Sequence, residues 1–276
     1  GPPGAAIAET VQATKPPVDP TGAFTPAQVA AIQGIVKDYL IAHPEVMIEV
    51  TKEIEKKREA MLAAEQVKIL SENKKQVFGR GNDFVYGNPK GDVTVVEFFD
   101  YRCPYCKRVS DSLQTLVQGD PKVRVVFKDF PILGPESLVA AKIALAAQRQ
   151  GKYQEVHTAL MAHKGSFDKA ALIELAANAG ADRNRISADM EDPAILDQLQ
   201  ANDALAAKLG ITGTPGFLIN GQPLGTGTPN SIEDWKQIVT NVENALATQT
   251  AQAGASSTAA GTASPAAATA TPTKAP

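Results

Sequence analysis

Hydrophobic positions change their spacing several times along this chain, and each change predicts an element. Val29, Ile32, Val36, Tyr39 and Leu40 recur at helical intervals, predicting an amphipathic helix. Thr25-Pro26-Ala27-Gln28 marks its start, with Thr as N-cap, Pro at the first helical position and Gln three residues after the cap. Pro44 disfavours a helical His43, so this helix stops or kinks there. A second helix is expected from Pro44 to about Val77, carrying Met47, Val50, Ile54, Met61 and Ile69 among many Glu and Lys.

The pattern then shortens to that of strands. A short strand at Phe84-Val85-Tyr86 precedes a turn at Asn88-Pro89-Lys90-Gly91, and a central strand covers 93–99. Val109, Leu113, Leu116 and Val117 return to helical spacing, Gly119-Asp120-Pro121 stops that helix, and Val123 to Phe127 reads as a second strand. Strand, helix, strand at this spacing is a βαβ unit with parallel strands. Residues 136–209 are almost entirely helical in pattern, with Ala-rich runs separated by Gly151, Gly165 and Gly180. Gly216 to Gly221 is strand-like, and Asn220-Gly221 signals a hairpin with an antiparallel strand after it. A last helix is expected from about Ser231 to Ala247, burying Trp235, Ile238, Val242 and Leu246. The chain therefore divides into a disordered start (1–24), a helical stalk (25–78), an α/β domain (79–247) with its helical insert, and a disordered Ala/Thr/Pro-rich tail (248–276).

The second helix is long and highly charged, which leaves two readings. It is either a solvated linker held by i,i+4 Glu/Lys pairs or an oligomerisation stalk. Met47, Val50, Ile54 and Met61 fit an a/d seam that Lys57 interrupts. The front helix would leave its stripe exposed in a monomer.

Composition narrows the function classes. A net charge of -3 over 276 residues suggests neither nucleic acid nor an anionic membrane surface. No apolar run is long enough to span a bilayer. Gly1-Pro2-Pro3-Gly4 lacks the charged start and apolar run of a secretory signal, so the opening reads as that of a mature or engineered chain. The chain has two cysteines, both in Cys103-Pro104-Tyr105-Cys106, so no disulfide framework braces it.

That motif carries the chemistry. Pro104 suits the first helical position, which places Cys103 at the N-cap, facing unpaired amides and the positive end of the helix dipole. A thiolate is stabilised there, so Cys103 is the expected nucleophile. A structural disulfide would close a minimal loop and remove little entropy from the unfolded chain. A zinc site would need further ligands, and no second cysteine pair exists. His43 falls in the stalk, and His157 and His163 in the helical insert. The pair alone says redox or metal. Thr212-Gly213-Thr214-Pro215-Gly216-Phe217, a proline just before a strand, is the second signal.

Together, Glu97 to Cys106, Phe127 to Gly134, the helical insert and Gly213-Thr214-Pro215 resemble the DsbA-like thiol–disulfide oxidoreductases. The resemblance covers about residues 80–247. With the helical stretch ahead of it, the layout is most similar to the suppressor-of-copper-sensitivity C (ScsC) proteins. It implies an α/β thioredoxin fold with an all-helical insertion of about 136–209, preceded by an N-terminal oligomerisation stalk.

The resemblance also implies roles. Cys103 would attack and Cys106 resolve, with the redox-active disulfide Cys103–Cys106 serving in place of any added cofactor. Pro215 would be a cis-proline, with Thr214 before it pairing with extended substrate. Glu97 and Lys128 would form an acid–base pair beneath the site, relaying protons to Cys106. Tyr105, where the best-known DsbA pattern has His, would make the couple less strongly oxidising. Expected activity is that of a periplasmic disulfide isomerase or reductase acting on misfolded or oxidised secreted proteins. It would be kept reduced by a membrane-bound DsbD- or ScsB-like reductase, self-associated as a homotrimer in preference to a dimer, and linked to copper tolerance. The alternatives are a monomeric dithiol oxidase and a Cu(I)-binding or transfer protein with Cys103 and Cys106 as ligands.

Overall fold

The computed structural model describes residues 22–224 and 227–260. Two compact units divide the chain, residues 1–65 and 66–276. The expected disordered segment 1–24 lies, through residue 21, outside the described residues.

The first unit carries α1 (Pro26–Ala42) and most of α2 (Glu45–Glu72). The capping box forms as its residues dictate: the Thr25 side chain accepts from the Gln28 amide, and Gln28 Oε1 accepts from Thr25 N–H at 2.8 Å. The chain breaks at His43-Pro44, where the His43 N–H still reaches Tyr39 O at 2.8 Å. Ile35 and Ile41 in α1 are 69% and 68% exposed, and Met61 in α2 74%. Among the described residues these apolar side chains stand exposed.

The second unit is built on a five-stranded sheet in the order β1-β3-β2-β4-β5. The strands are β1 (Phe84–Gly87), β2 (Val93–Phe99), β3 (Val123–Asp129), β4 (Gly216–Ile219) and β5 (Gln222–Pro223). β2 and β3 run parallel, joined through α4 (Pro104–Gly119), and the other pairs are antiparallel. Every residue of β2 is buried, because both sheet faces are covered. That explains its near-continuous apolar run. On one face Val95, Phe99, Val125 and Phe127 pack with Val109 and Leu113 of α4 and with Trp235 of α10 (Ile232–Ala260). On the other, Val96, Phe98, Val126 and Leu218 meet Val77 of α3 (Lys74–Phe78) and Leu205 of α9 (Pro193–Lys208).

The insert consists of α5 (Pro135–Gln148), α6 (Tyr153–Ala162), α7 (Lys169–Asn178), α8 (Arg183–Asp189) and α9. The hairpin turn holds Asn220 at φ 48° and Gly221 at φ 84°, both in the left-handed region that the Asn-Gly pair tolerates. The sheet and its insertion are those of a thioredoxin fold of the DsbA kind.

Three boundaries differ from expectation. The second helix ends at Glu72, and α3 follows as a separate turn after Asn73. Val77 is fully buried and Leu70 packs beside it in the core of the second unit. The last seven residues of α2 and all of α3 therefore belong to the α/β unit, which begins near residue 66 rather than 79. The last helix continues to Ala260, well past Ala247. Ala is the commonest residue of its added turns and has the highest helix propensity; residues 261–276 of the tail lie outside the described residues.

Candidate active site

The register of β2 brings the two sequence signals together. Phe98 of β2 pairs with Gly216 of β4, so the loop before Gly216 and the turn after Phe99 emerge side by side. Gly216 is required there, since a Cβ would stand 2.6 Å from Ile211 Cγ2. The Thr214–Pro215 peptide is cis, as expected. After β2 the chain turns through Asp100–Cys103, closed by Cys103 N–H to Asp100 O at 3.0 Å. The buried Asp100 carboxylate fixes this turn. Its Oδ1 accepts from the Arg102 amide and the Ser137 hydroxyl, each at 2.8 Å, and its Oδ2 from the Leu133 amide at 3.0 Å.

Cys103 then sits at the N-cap of α4, where its Sγ accepts from Cys106 N–H at 3.5 Å, and Pro104 occupies the first turn. Across the gap, Cys103 Sγ lies 3.3 Å from Thr214 O, a bond that the thiol form donates and the thiolate cannot. The two thiols are unbridged. The Cys106 thiol, against the opposing effect of burial, brings the Cys103 pKa down from 9.0 to about 5, aided by Thr214 and the amides of Cys106 and Tyr105. That value lies between the ~7 of thioredoxin and the ~3.5 of DsbA. Cys106 is fully buried, and its hydrogen bond with Cys103, then burial and Glu97, push its thiol far above the ordinary range. One cysteine is thus a thiolate and its partner a thiol.

Glu97 lies on the same sheet face as α4. It is 1% exposed, and its Oε1 has no hydrogen-bond partner among the described residues. Burial, then the charge on Cys103, raise its pKa to about 8. Lys128 is not its partner, which corrects the expected acid–base pair. Glu97 is in register with Phe127 and Lys128 with Phe98, so the two point to opposite faces of the sheet. Lys128 Nζ instead binds Asp83 Oδ2 at 2.6 Å, both side chains fully buried, and the main-chain oxygen of Gln76.

Several site residues were not singled out from the sequence. Arg108 places its guanidinium 4.3 Å from the centre of the Tyr105 ring, which is 55% exposed beside Cys103. Their i,i+3 spacing is the signal that could have found the pair. Lys107 caps α6, donating to Leu160 O, Met161 O and His163 O at 3.1, 3.1 and 2.6 Å. Pro215, Thr214 and Phe217 line a groove of about 450 Å³ that also takes in Ile211 and Leu224. For a metal, Cys103 and Cys106 offer two soft donors suited to Cu(I). Among the described residues no group of three or more His, Cys, Asp or Glu gathers to hold an ion.

Comparison with known proteins agrees with this geometry. Residues 94–239 match the DSBA-like thioredoxin domain, and residues 28–60 the copper resistance protein ScsC N-terminal domain. A thioredoxin-like oxidoreductase from Silicibacter pomeroyi is 40% identical, with a TM-score of 0.58 over 62% of this chain and 98% of that one. A linker-deletion mutant of Proteus mirabilis ScsC is 27% identical, with a TM-score of 0.59 over 82% of this chain and 98% of that one. A curated relative, the Na(+)/H(+) antiporter NhaA 3 of Salinispora tropica, is 34% identical over 143 residues, which is 51% of this chain but 22% of that protein. The chain thus spans about a fifth of the length of that relative. Among the described residues no helix is long and apolar enough to cross a membrane. With the domain match taking in just over half of its 276 residues, the chain belongs to the DSBA-like thioredoxin domain family.

Proposed function

We propose that this protein is a periplasmic disulfide isomerase and reductase that works as a homotrimer on misfolded or oxidised secreted proteins. The observation that carries this reading is the split between the two cysteines, one charged near neutral pH and one held as a thiol.

In the first step the Cys103 thiolate attacks a client disulfide. That S–S bond breaks, a client thiolate leaves, and Cys103 becomes part of a mixed disulfide. The loss of charge on Cys103 removes one of the two influences that keep Glu97 protonated. Glu97 then ionises more readily and can accept the Cys106 proton. The Cys106 thiolate attacks Cys103 Sγ, expelling the second client sulfur as a thiolate and leaving the Cys103–Cys106 disulfide. If a client thiolate attacks first, the client is isomerised and the dithiol is restored. After the reductive route, a membrane-bound DsbD- or ScsB-like reductase would return two electrons. The cis Thr214–Pro215 loop and its groove supply the wall against which an extended client lies.

Self-association is supported by the exposed seam of Met47, Val50, Ile54 and Met61, which are 50%, 45%, 60% and 74% exposed, and by the ScsC match over 28–60. A Cys103 pKa near 5 implies a good leaving group, yet a weaker oxidant than DsbA itself. That favours reshuffling over net oxidation. The two soft sulfurs support a second reading, Cu(I) capture linked to copper tolerance. A copper titration of the reduced protein decides it, and affinity no tighter than glutathione's excludes it.

The test is reactivation of scrambled ribonuclease. The reduced full chain should reactivate it and sediment as a trimer. A chain beginning at Gln66 should sediment as a monomer and lose most of the activity. Equal activity of a Cys103→Ser variant, or a monomeric full chain, contradicts the proposal.

A further inference from the structure

Behind the catalytic turn lies a buried polar cluster that the thiol chemistry above does not use. Asp129 ends β3 in register with Phe99, which places its carboxyl on the same sheet face as Glu97. It is 2% exposed. Its Oδ2 accepts from the Tyr153 hydroxyl at 2.8 Å, and its Oδ1 has no partner among the described residues. The equally buried Tyr101 hydroxyl lies 3.0 Å from His157 Nδ1 and also interacts with the Asp129 carboxyl. Burial pushes the His157 pKa down to about 3, so its ring is neutral, and in the tautomer with the proton on Nε2 its Nδ1 accepts from the Tyr101 hydroxyl.

Tyr101 is a corner residue of the Asp100–Cys103 turn, the turn that delivers Cys103 to the helix start. We propose that Asp129, acting through Tyr101, is a positioning residue for the Cys103 nucleophile, and that gain or loss of its proton re-sets the turn. With the proton on Asp129, the Tyr101 hydroxyl donates to His157. With the proton gone, the charged carboxylate is the stronger acceptor and its vacant oxygen draws that hydroxyl across. The turn corner follows its own side chain.

The surroundings keep this proton exchangeable near neutral pH. Tyr101 of the turn after β2 and Tyr153 of α6 reach the carboxyl, the Asp83 charge from the segment before β1 also bears on it, and Glu97 of β2 and His157 of α6 bear on the Tyr101 hydroxyl. Asn202 of α9 donates to the Asp129 main-chain oxygen at 3.0 Å. Lys128 points to the opposite face, and both it and Arg80 are held by Asp83. Burial raises the carboxyl to about 7 against the opposing bond from Tyr153.

This inference rests on Cys103 being the nucleophile, and one experiment separates the two. The alkylation rate of the reduced full chain is followed against pH. It should rise near pH 5 as Cys103 ionises and show a second step near pH 7. Asp129→Asn should abolish the second step and keep the first. Tyr153→Phe should move the second step to higher pH, because it removes a bond that favours the carboxylate. Should Asp129→Asn fail to fold, Tyr153→Phe and the carboxyl carbon resonance of Asp129 in the unaltered protein decide. A step unchanged in Asp129→Asn or in Tyr153→Phe, or a carboxyl titrating near its ordinary 3.8, overturns the inference. So does a single rise near pH 5, which leaves the nucleophile reading standing.

Discussion

Lys128→Met should cost about 3 kcal/mol of stability and leave the reactivity of Cys103 unchanged. The Lys128 ammonium and the Asp83 carboxylate are both fully buried 2.6 Å apart. Taking one charge from such a pair leaves the other desolvated and short of a partner. The loss falls at the lower end of the usual range because Asp83 keeps the Arg80 amide at 2.7 Å and the Arg80 guanidinium at 3.4 Å. The Gln76 carbonyl also loses its donor. Denaturant unfolding measures this, and Asp83→Leu added to Lys128→Met should recover part of the loss, since an apolar pair of similar volume replaces a buried ion pair at little cost. Thiolate formation at Cys103 should not change, because Lys128 lies on the sheet face away from α4. A shifted Cys103 midpoint in a folded Lys128→Met protein would restore the acid–base role that the register argues against.

Glu97→Gln should act in the opposite sense on stability and slow the reaction. The Glu97 pKa is raised from 4.5 to about 8 in the folded protein. Below pH 4.5 the carboxyl is protonated folded and unfolded alike, and it costs nothing. As pH rises toward 8 the unfolded chain releases this proton first, and the folded state loses on the order of 4–5 kcal/mol. The amide cannot ionise, so its stabilising effect should be absent in acid, grow through neutral pH and level off above pH 8. Because part of the shift comes from Cys103, the gain should be larger in the reduced protein than in the oxidised one. Catalysis should suffer, since resolution of the mixed disulfide loses its proton acceptor, a loss on the order of 10²-fold. Equal stability of the two proteins at pH 8 and at pH 4.5 would mean that Glu97 is not held protonated.

Much of the site could be read from the residues because its parts obey local rules. Cys103 before Pro104 at a helix start, Asn220-Gly221 in its turn, and Glu97 among Val95, Val96, Phe98 and Phe99 each follow from neighbours in sequence. Pro215 required the pairing of two distant motifs, which the DsbA resemblance supplied. The Lys128 error was one of parity. Glu97 and Lys128 lie on adjacent strands, and a one-residue offset sends side chains to opposite faces. Their true register, Glu97 with Phe127, depends on how β2 and β3 align. Asp83 was out of reach because it lies in irregular backbone 45 residues from its partner. The domain boundary failed for a related reason. The apolar residues of α3 look like the end of a charged helix, and only their packing over the second sheet face explains Val77 and Phe78. Asp129 carried a signal, an acidic residue of the same parity as Glu97 on an apolar strand, but its meaning depends on Tyr101, Tyr153 and His157 arriving from elsewhere.

The charge state of Cys103 drives the attack, helps to hold Glu97 protonated and separates its role from that of Cys106. The most direct measurement is the ultraviolet absorbance of the thiolate in the reduced protein as a function of pH. The account predicts one thiolate forming with a midpoint near 5, abolished by Cys103→Ser, with Cys106 remaining a thiol beyond the ordinary 9.0. A midpoint near 9.0, or one near 5 that survives Cys103→Ser, would contradict it.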